Sequence, residues 1–116
     1  MKAIAPTAHR ALDYATVVLF AAAPTIFGLI GGAAKLSYAL AIVHLLLTLL
    51  THFRDGDRKL VPFRAHMAAE ILVGVALIFA GVYVFPAALR FFCAAGALIL
   101  LVVLASWGGG AQTQKS

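Results

Sequence analysis

The stretch YATVVLFAAAPTIFGLIGGAA, from Tyr14 to Ala34, carries no charged side chain. As a helix rising 1.5 Å per residue it is about 31 Å long, which matches the hydrocarbon thickness of a bilayer. Three further stretches share its character. One runs roughly from Leu36 to His52 and is interrupted only by Ser37, His44, Thr48 and Thr51. Another runs from about His66 to Phe85 with Glu70 near its start, and the last from about Ala87 to Trp107 with Arg90 near its start. All are too long for strands and lack period-two alternation. In lipid the backbone must satisfy itself, which requires helices. The expectation is an all-α protein, a transmembrane four-helix bundle forming one integral membrane domain over 1–116.

Composition supports the same class. Of 116 residues, 64% are hydrophobic and 11% charged, with a mean hydropathy of +1.04. Ordinary soluble domains are about 45–50% apolar and about 25% charged, and a chain this short cannot hide the excess from water. Intrinsic disorder is excluded by the same figures. The single cysteine, Cys93, excludes a disulfide scaffold. A cleaved signal peptide fits the first stretch poorly, because its apolar run is too long and no cleavage site follows a charged lead.

The net charge of +5 does not mark a nucleic-acid surface, since the basic residues lie at segment ends and in one loop. Seven of them (Lys2, Arg10, Arg54, Arg58, Lys59, Arg64 and Lys115) fall on one side, and two, Lys35 and Arg90, on the other. The positive-inside rule then makes both termini and the Arg54–Arg64 loop cytoplasmic. Tight outer connections are expected around Lys35 and Pro86. Tyr14 and Trp107 fall near the inner interface and Tyr38 and Tyr83 near the outer one, as an aromatic belt requires. The mixed-charge turn Arg54-Asp55-Asp57-Arg58-Lys59 reads as a solvated loop near anionic headgroups.

A shift of 57 residues lays one half over the other. Ala8-His9-Arg10-Ala11-Leu12-Asp13 falls on Ala65-His66-Met67-Ala68-Ala69-Glu70, Ile4-Ala5-Pro6 lies near Val61-Pro62-Phe63, Val18 matches Val75 and Ala23 matches Ala80. Two parallel-repeated helical hairpins follow, over about 4–53 and about 61–107, related by a pseudo-two-fold axis along the membrane normal. Residues 108–116 are expected to form a flexible tail, with Gly108-Gly109-Gly110 ending the last helix.

His9-Arg10-x-Leu12-Asp13-Tyr14, followed about one helix later by Pro24 and Phe27-Gly28, resembles the SPW-repeat integral membrane proteins of bacteria. Their unit is a two-helix repeat with a Ser-Pro-Trp element toward the end of the first helix. Here Ala23-Pro24-Thr25 stands at that place, and the second half has Ala80-Gly81-Val82. The resemblance implies a four-helix membrane fold in the bacterial inner (plasma) membrane and no established activity.

Several residues are expected to serve helix packing. Pro24 is read as mid-helix, removing one backbone bond and kinking the first helix. Gly28 and Gly32 are read as a small-residue face for close helix approach, and Gly74 and Gly81 as its counterpart on the third helix. Cys93 is read as a small buried packing residue.

The few polar groups inside the spans each need an account, because burying them in lipid is costly. His9 and Asp13 are four apart and share a helix face, and His66 and Glu70 repeat the spacing. Ser37, His44, Thr48, Thr51 and His52 form one stripe at helical spacing. The topology places His9, His52 and His66 near the inner interface, Asp13 and Glu70 roughly 6 Å deeper, and His44 about 12 Å deeper than His52.

Four readings of this constellation are open. In the first, each imidazole donates to the acid one turn along its own helix and pins the helix start. In the second, His9, Asp13, His52, His66 and Glu70 hold a divalent metal. In the third, the histidines and acids relay protons or ions. In the fourth, His44 ligates haem or a pigment in mid-membrane. No phosphate-cradling glycine loop, nucleophile elbow or catalytic triad is present. The sequence therefore reads as a small non-enzymatic membrane protein, an accessory subunit contacting lipids and either other membrane subunits or itself. Binding of an ion, metal or cofactor is the alternative, and no nucleic-acid partner is expected.

Overall fold

A computed structural model describes residues 4–52 and 61–115, with side chains from 4–51 and 61–107. The chain is all-helical apart from one two-residue bridge. Helix α1 spans Pro6–Ile26 and α2 Gly31–Leu50. Strands β1 (Thr51–His52) and β2 (Val61–Pro62) pair in parallel, and α3 follows over Phe63–Phe79. One π-helical turn (Ala80–Val84) and one 3-10 turn (Pro86–Ala88) lead into α4, Leu89–Lys115. Helices α1 and α2 pack together, α3 packs on α4, and α1 also meets α4.

Helix starts follow proline chemistry. Pro6 occupies the first turn of α1, where its missing N–H is no loss, and Pro62 is the extended residue that precedes α3. The Ile4 N–H donates to the Ala105 carbonyl at 3.2 Å. The bridge holds the matching residue, Val61, opposite Thr51.

The uncharged run that opened the sequence is two elements. Helix α1 stops at Ile26, where the Phe27 N–H donates to Ala23 O and the Leu29 N–H to Pro24 O. Gly28 (φ +67°) and Gly31 (φ +58°) take the left-handed backbone that the turn requires. Gly28 therefore belongs to a turn and not to a helix face, which corrects its pairing with Gly32. The tight connection is at 27–30, and Lys35 lies inside α2.

Pro24 stands in the last turn of α1 and not mid-helix. Its absent N–H leaves the Phe20 carbonyl without its helical donor, and the Ser37 hydroxyl supplies one from α2 at 2.7 Å. Gly32 does pack closely, since a Cβ there would lie 2.8 Å from the Phe85 ring. On the other hairpin the closest approach is Gly74 on Gly96. A Cβ on Gly96 would lie 2.6 Å from Gly74 O, and one on Gly74 3.0 Å from Gly96 O. Gly81 abuts Phe92 and Cys93. Helix α4 does not end at Gly108–Gly110, because glycine weakens a helix without obliging it to stop. Its backbone continues to Lys115.

Among the described residues, three helical segments are long and apolar enough to cross a membrane: Gly31–Leu50, Phe63–Val84 and Pro86–Trp107. Helix α1 falls short, because its true boundaries include His9, Arg10 and Asp13 and exclude Leu29 and Ile30.

Burial recurs at one- or two-turn spacing on α1 (His9, Asp13, Phe20 and Ala23) and every three or four residues on α2 (Ala33, Ser37, Ala41, His44 and Thr48). On α3 it falls on His66, Glu70, Gly74 and Leu77, and on α4 on Phe92, Gly96, Ile99, Val103 and Ser106. This is the spacing of helices packed at shallow angles. Asp13, Glu70 and the hydroxyls of Ser37, Thr48, Thr51 and Ser106 lie inside, while Val18, Ile42, Leu72, Leu101 and Leu104 face outward, each more than 60% exposed. That inversion suits an apolar solvent. An apolar cluster around Phe20, Leu77, Phe92 and Ile99 lies toward one end, and Phe63, Met67 and Val103 lie toward the other.

Candidate functional site

Five ionisable side chains converge in the interior: His9 and Asp13 from α1, His44 from α2, and His66 and Glu70 from α3. None is more than 3% exposed. The i,i+4 spacing puts each histidine on its acid's helix face, yet the shortest contacts cross between the halves. His9 Nε2 lies 2.7 Å from Glu70 Oε1, and His66 Nε2 lies 2.8 Å from Asp13 Oδ2. The same-helix separations are longer, 3.3 Å for His9–Asp13 and 3.4 Å for His66–Glu70. The expected pinning of each imidazole by the acid on its own helix is therefore secondary.

His44 joins the same centre. Its Nε2 lies 3.1 Å from Glu70 Oε2 and 3.4 Å from Asp13 Oδ1. It does not stand apart in mid-membrane, because imidazole and carboxylate together reach across the remaining helical rise. The side chain of His52 lies outside the described residues. His66 takes its partner from the preceding residue, Thr51.

The other nitrogen of each crossed histidine is held by a hydroxyl. His9 Nδ1 lies 2.7 Å from Ser106 Oγ, and His66 Nδ1 lies 2.7 Å from Thr51 Oγ1. Each hydroxyl also bonds a carbonyl of its own helix, Ser106 to Val102 O at 2.6 Å and Thr51 to Leu47 O at 2.5 Å. A hydroxyl has one proton. With that proton given to the carbonyl, the oxygen accepts from the imidazole Nδ1–H. In a neutral ring Nε2 then presents its lone pair to the centre. Phe63 closes one side, with its ring edge-on to His9 at 5.1 Å.

The two halves perform the same contacts. First helices match at the 57-residue shift, so His9 corresponds to His66, Asp13 to Glu70 and Phe20 to Leu77, all buried. Second helices match at a shift of 55: Thr51 with Ser106, Thr48 with Val103, His44 with Ile99 and Ser37 with Phe92, again all buried. Sequence reasoning missed Ser106 and Gly96. A uniform shift of 57 carries Thr51 onto Gly108. Allowing two fewer residues between the helices of the second half brings Ser106 onto Thr51, whereas Gly96 falls on Ala41 and carries no such signal.

Oxygen and nitrogen atoms of His9, Asp13, His66 and Glu70 all lie within 4.8 Å of one another. With His44 the set is three imidazoles and two carboxylates. No family model, curated protein or solved structure matches the chain.

Proposed function

We propose that this chain is a four-span membrane protein, a four-helix bundle built from a duplicated hairpin, whose centre holds one divalent transition-metal ion. One observation carries the metal assignment. Two histidines anchored through Nδ1 by hydroxyls direct Nε2 at two buried carboxylates. A lone pair facing a carboxylate in a low-dielectric interior is unfavourable unless a cation sits between them. One divalent ion would neutralise both acids and use every inward-facing donor. Ligand bonds of about 2.0–2.1 Å separate neighbouring ligand atoms by about 2.9–3.4 Å. Four of the six N–O separations, at 3.1–3.4 Å, lie in that range, and the two crossed contacts, at 2.7 and 2.8 Å, lie just below it. Imidazole and carboxylate without thiolate favour zinc, iron(II) or manganese(II).

The duplication reading rests on the matched burial and on the twin hydroxyl–histidine–acid chains. α1 serves as a fourth span because His9 and Asp13 face inward while Val18 and Ile26 face out, each 66% exposed. The positive-inside count places both termini in the cytoplasm, and the resemblance to SPW-repeat proteins supports a bacterial plasma membrane.

The test is elemental analysis of protein purified in mild detergent, stripped with chelator and reloaded with Zn²⁺, Mn²⁺ or Fe²⁺. About one ion per chain is expected, lost in the Asp13→Asn/Glu70→Gln double variant. Parent protein that retains no ion after reloading refutes the assignment. A second reading is favoured by the 2.7 Å contact of His9 with Glu70, which suits a direct bond between imidazolium and carboxylate. There the centre is a proton-neutralised structural pin of an accessory subunit. Such a protein would be metal-free and as thermally stable in chelator as without it.

A further inference from the structure

Resting on the metal reading, we propose that the centre keeps one position open for a small neutral donor molecule, admitted from the lipid through a cleft between α1 and α4. On their second helices the twin halves differ at one matched position in whether a donor atom reaches the carboxylates. On the α2 flank His44 reaches both carboxylates, at 3.1 and 3.4 Å. The matching position on the α4 flank is Ile99, which has no donor atom, and there a cleft opens. Asp13 and Glu70 form its floor, while Leu12, Ala15, Leu19, Leu98 and Val102 line its walls. Leu12 and Leu98 are 41% and 51% exposed, so the mouth lies on the outward apolar face.

The cleft volume, about 150 Å³, and its lining define the guest. An apolar cavity of about this size accepts a molecule of benzene's dimensions. Apolar walls disfavour strongly hydrated and charged species, because a guest must shed its hydration to enter. The guest is therefore neutral, with an apolar body and one nitrogen, sulfur or oxygen donor directed inward. The α2 flank fills its own position with His44, so the asymmetry between His44 and Ile99 confines exchange to one face.

The probe is pyridine, a neutral donor of benzene's size, titrated into Co²⁺-loaded protein in lipid nanodiscs. The readout is the visible ligand-field bands of the cobalt ion. Saturable band shifts are expected with pyridine, and none with benzene, which has no donor, or with azide, which is anionic. Ala15→Phe, which plugs the cleft, should keep the Co²⁺ bands and weaken the pyridine response at least tenfold. Thr16→Phe is a second plug at the same wall should the first variant fail to fold. Ile99→His should shift the bands without pyridine and abolish the response to it. The inference is overturned if Co²⁺ is held but pyridine leaves the bands unchanged, or if both plugged variants respond like the parent. Failure of the parent to hold Co²⁺ at all overturns the metal reading and this inference together.

Discussion

Thr51→Val and Ser106→Ala remove the hydroxyls that hold His66 and His9 by Nδ1. Thr51 and Ser106 are 1% and 0% exposed, so no solvent replaces the lost acceptor. An interhelical hydrogen bond in a bilayer averages only about 0.6 kcal/mol, because separated helices find other partners. Here the folded variant keeps a buried imidazole N–H with its acceptor deleted, and such a group costs about 1–3 kcal/mol. That is roughly 5- to 150-fold in the unfolding equilibrium. The two variants should agree within about 0.5 kcal/mol, since both contacts are 2.7 Å and equally buried. Thr48→Val is the control. Its hydroxyl is buried on the same helix but bonds only the His44 carbonyl, at 2.7 Å. It should cost less than about 0.5 kcal/mol, because deleting a donor to an already bonded helix carbonyl strands nothing. Unfolding by graded denaturing detergent, followed by circular dichroism, measures all three. If Thr48→Val proves as costly as Thr51→Val, or if Thr51→Val is neutral, the hydroxyl anchoring is refuted. In the metal-loaded protein the two anchoring variants should also weaken metal affinity by about 10–100-fold, the usual effect of losing a partner of a ligating histidine.

The crossed pairing makes Asp13→Asn and Glu70→Gln equivalent, and each should destabilise the metal-free protein by about 3–5 kcal/mol by breaking a buried pair. Thermal unfolding in detergent checks this, and a large difference between the two would contradict the symmetry of the centre. Ser37→Ala should cost about 1–3 kcal/mol by stranding the Phe20 carbonyl, while in the Pro24→Ala background, where the helix regains its own N–H donor, most of that cost should vanish. A double-mutant cycle reads the coupling, and additive effects would refute it. Gly96→Ala should destabilise by about 1–3 kcal/mol, because its Cβ would meet Gly74 O at 2.6 Å and backbone cannot step aside. The same measurement on Gly28→Ala should give about 1 kcal/mol from positive φ alone, since open space surrounds that position.

The helical class and three of the long apolar segments were legible from hydropathy, but helix boundaries were not. The turn at 27–30 consists of Phe27, Gly28, Leu29 and Ile30, three of them apolar. Loops announce themselves by polarity only where they meet water, so an apolar turn inside a long apolar run is invisible to a hydropathy window. The glycines at 28 and 31 were the available signal, but Gly28 was read with Gly32 as a packing face, because a glycine at a helix end and one on a helix face look alike in sequence. Shifting the helix back to Pro6 also removed its clean span, since His9, Arg10 and Asp13 then fall inside it.

The members of the centre were legible because so few charges occur in the apolar stretches that each stands out. Their pairing was not, for a reason in the geometry of repetition. Spacing along one helix shows His9 next to Asp13 and His66 next to Glu70, and nothing in a single helix shows what faces it. When two equivalent helices turn the same face to a common axis, each imidazole meets its twin's acid, so the crossed contacts at 2.7 and 2.8 Å are shorter than the local ones. The matched placement of the two helices thus turns a modest i,i+4 pair into a four-group cluster without a new residue. The remaining freedom lies in the second helices. There Thr51 and Ser106 keep one role while His44 and Ile99 diverge, adding a fifth donor on one flank and leaving the other flank with a cleft that ends on the two acids. A centre needed only to hold helices together has no use for that difference, because a second isoleucine or a second histidine would pack equally well on a symmetric frame. Divergence at the single matched pair that touches the carboxylates is what a binding site with one exchangeable position requires.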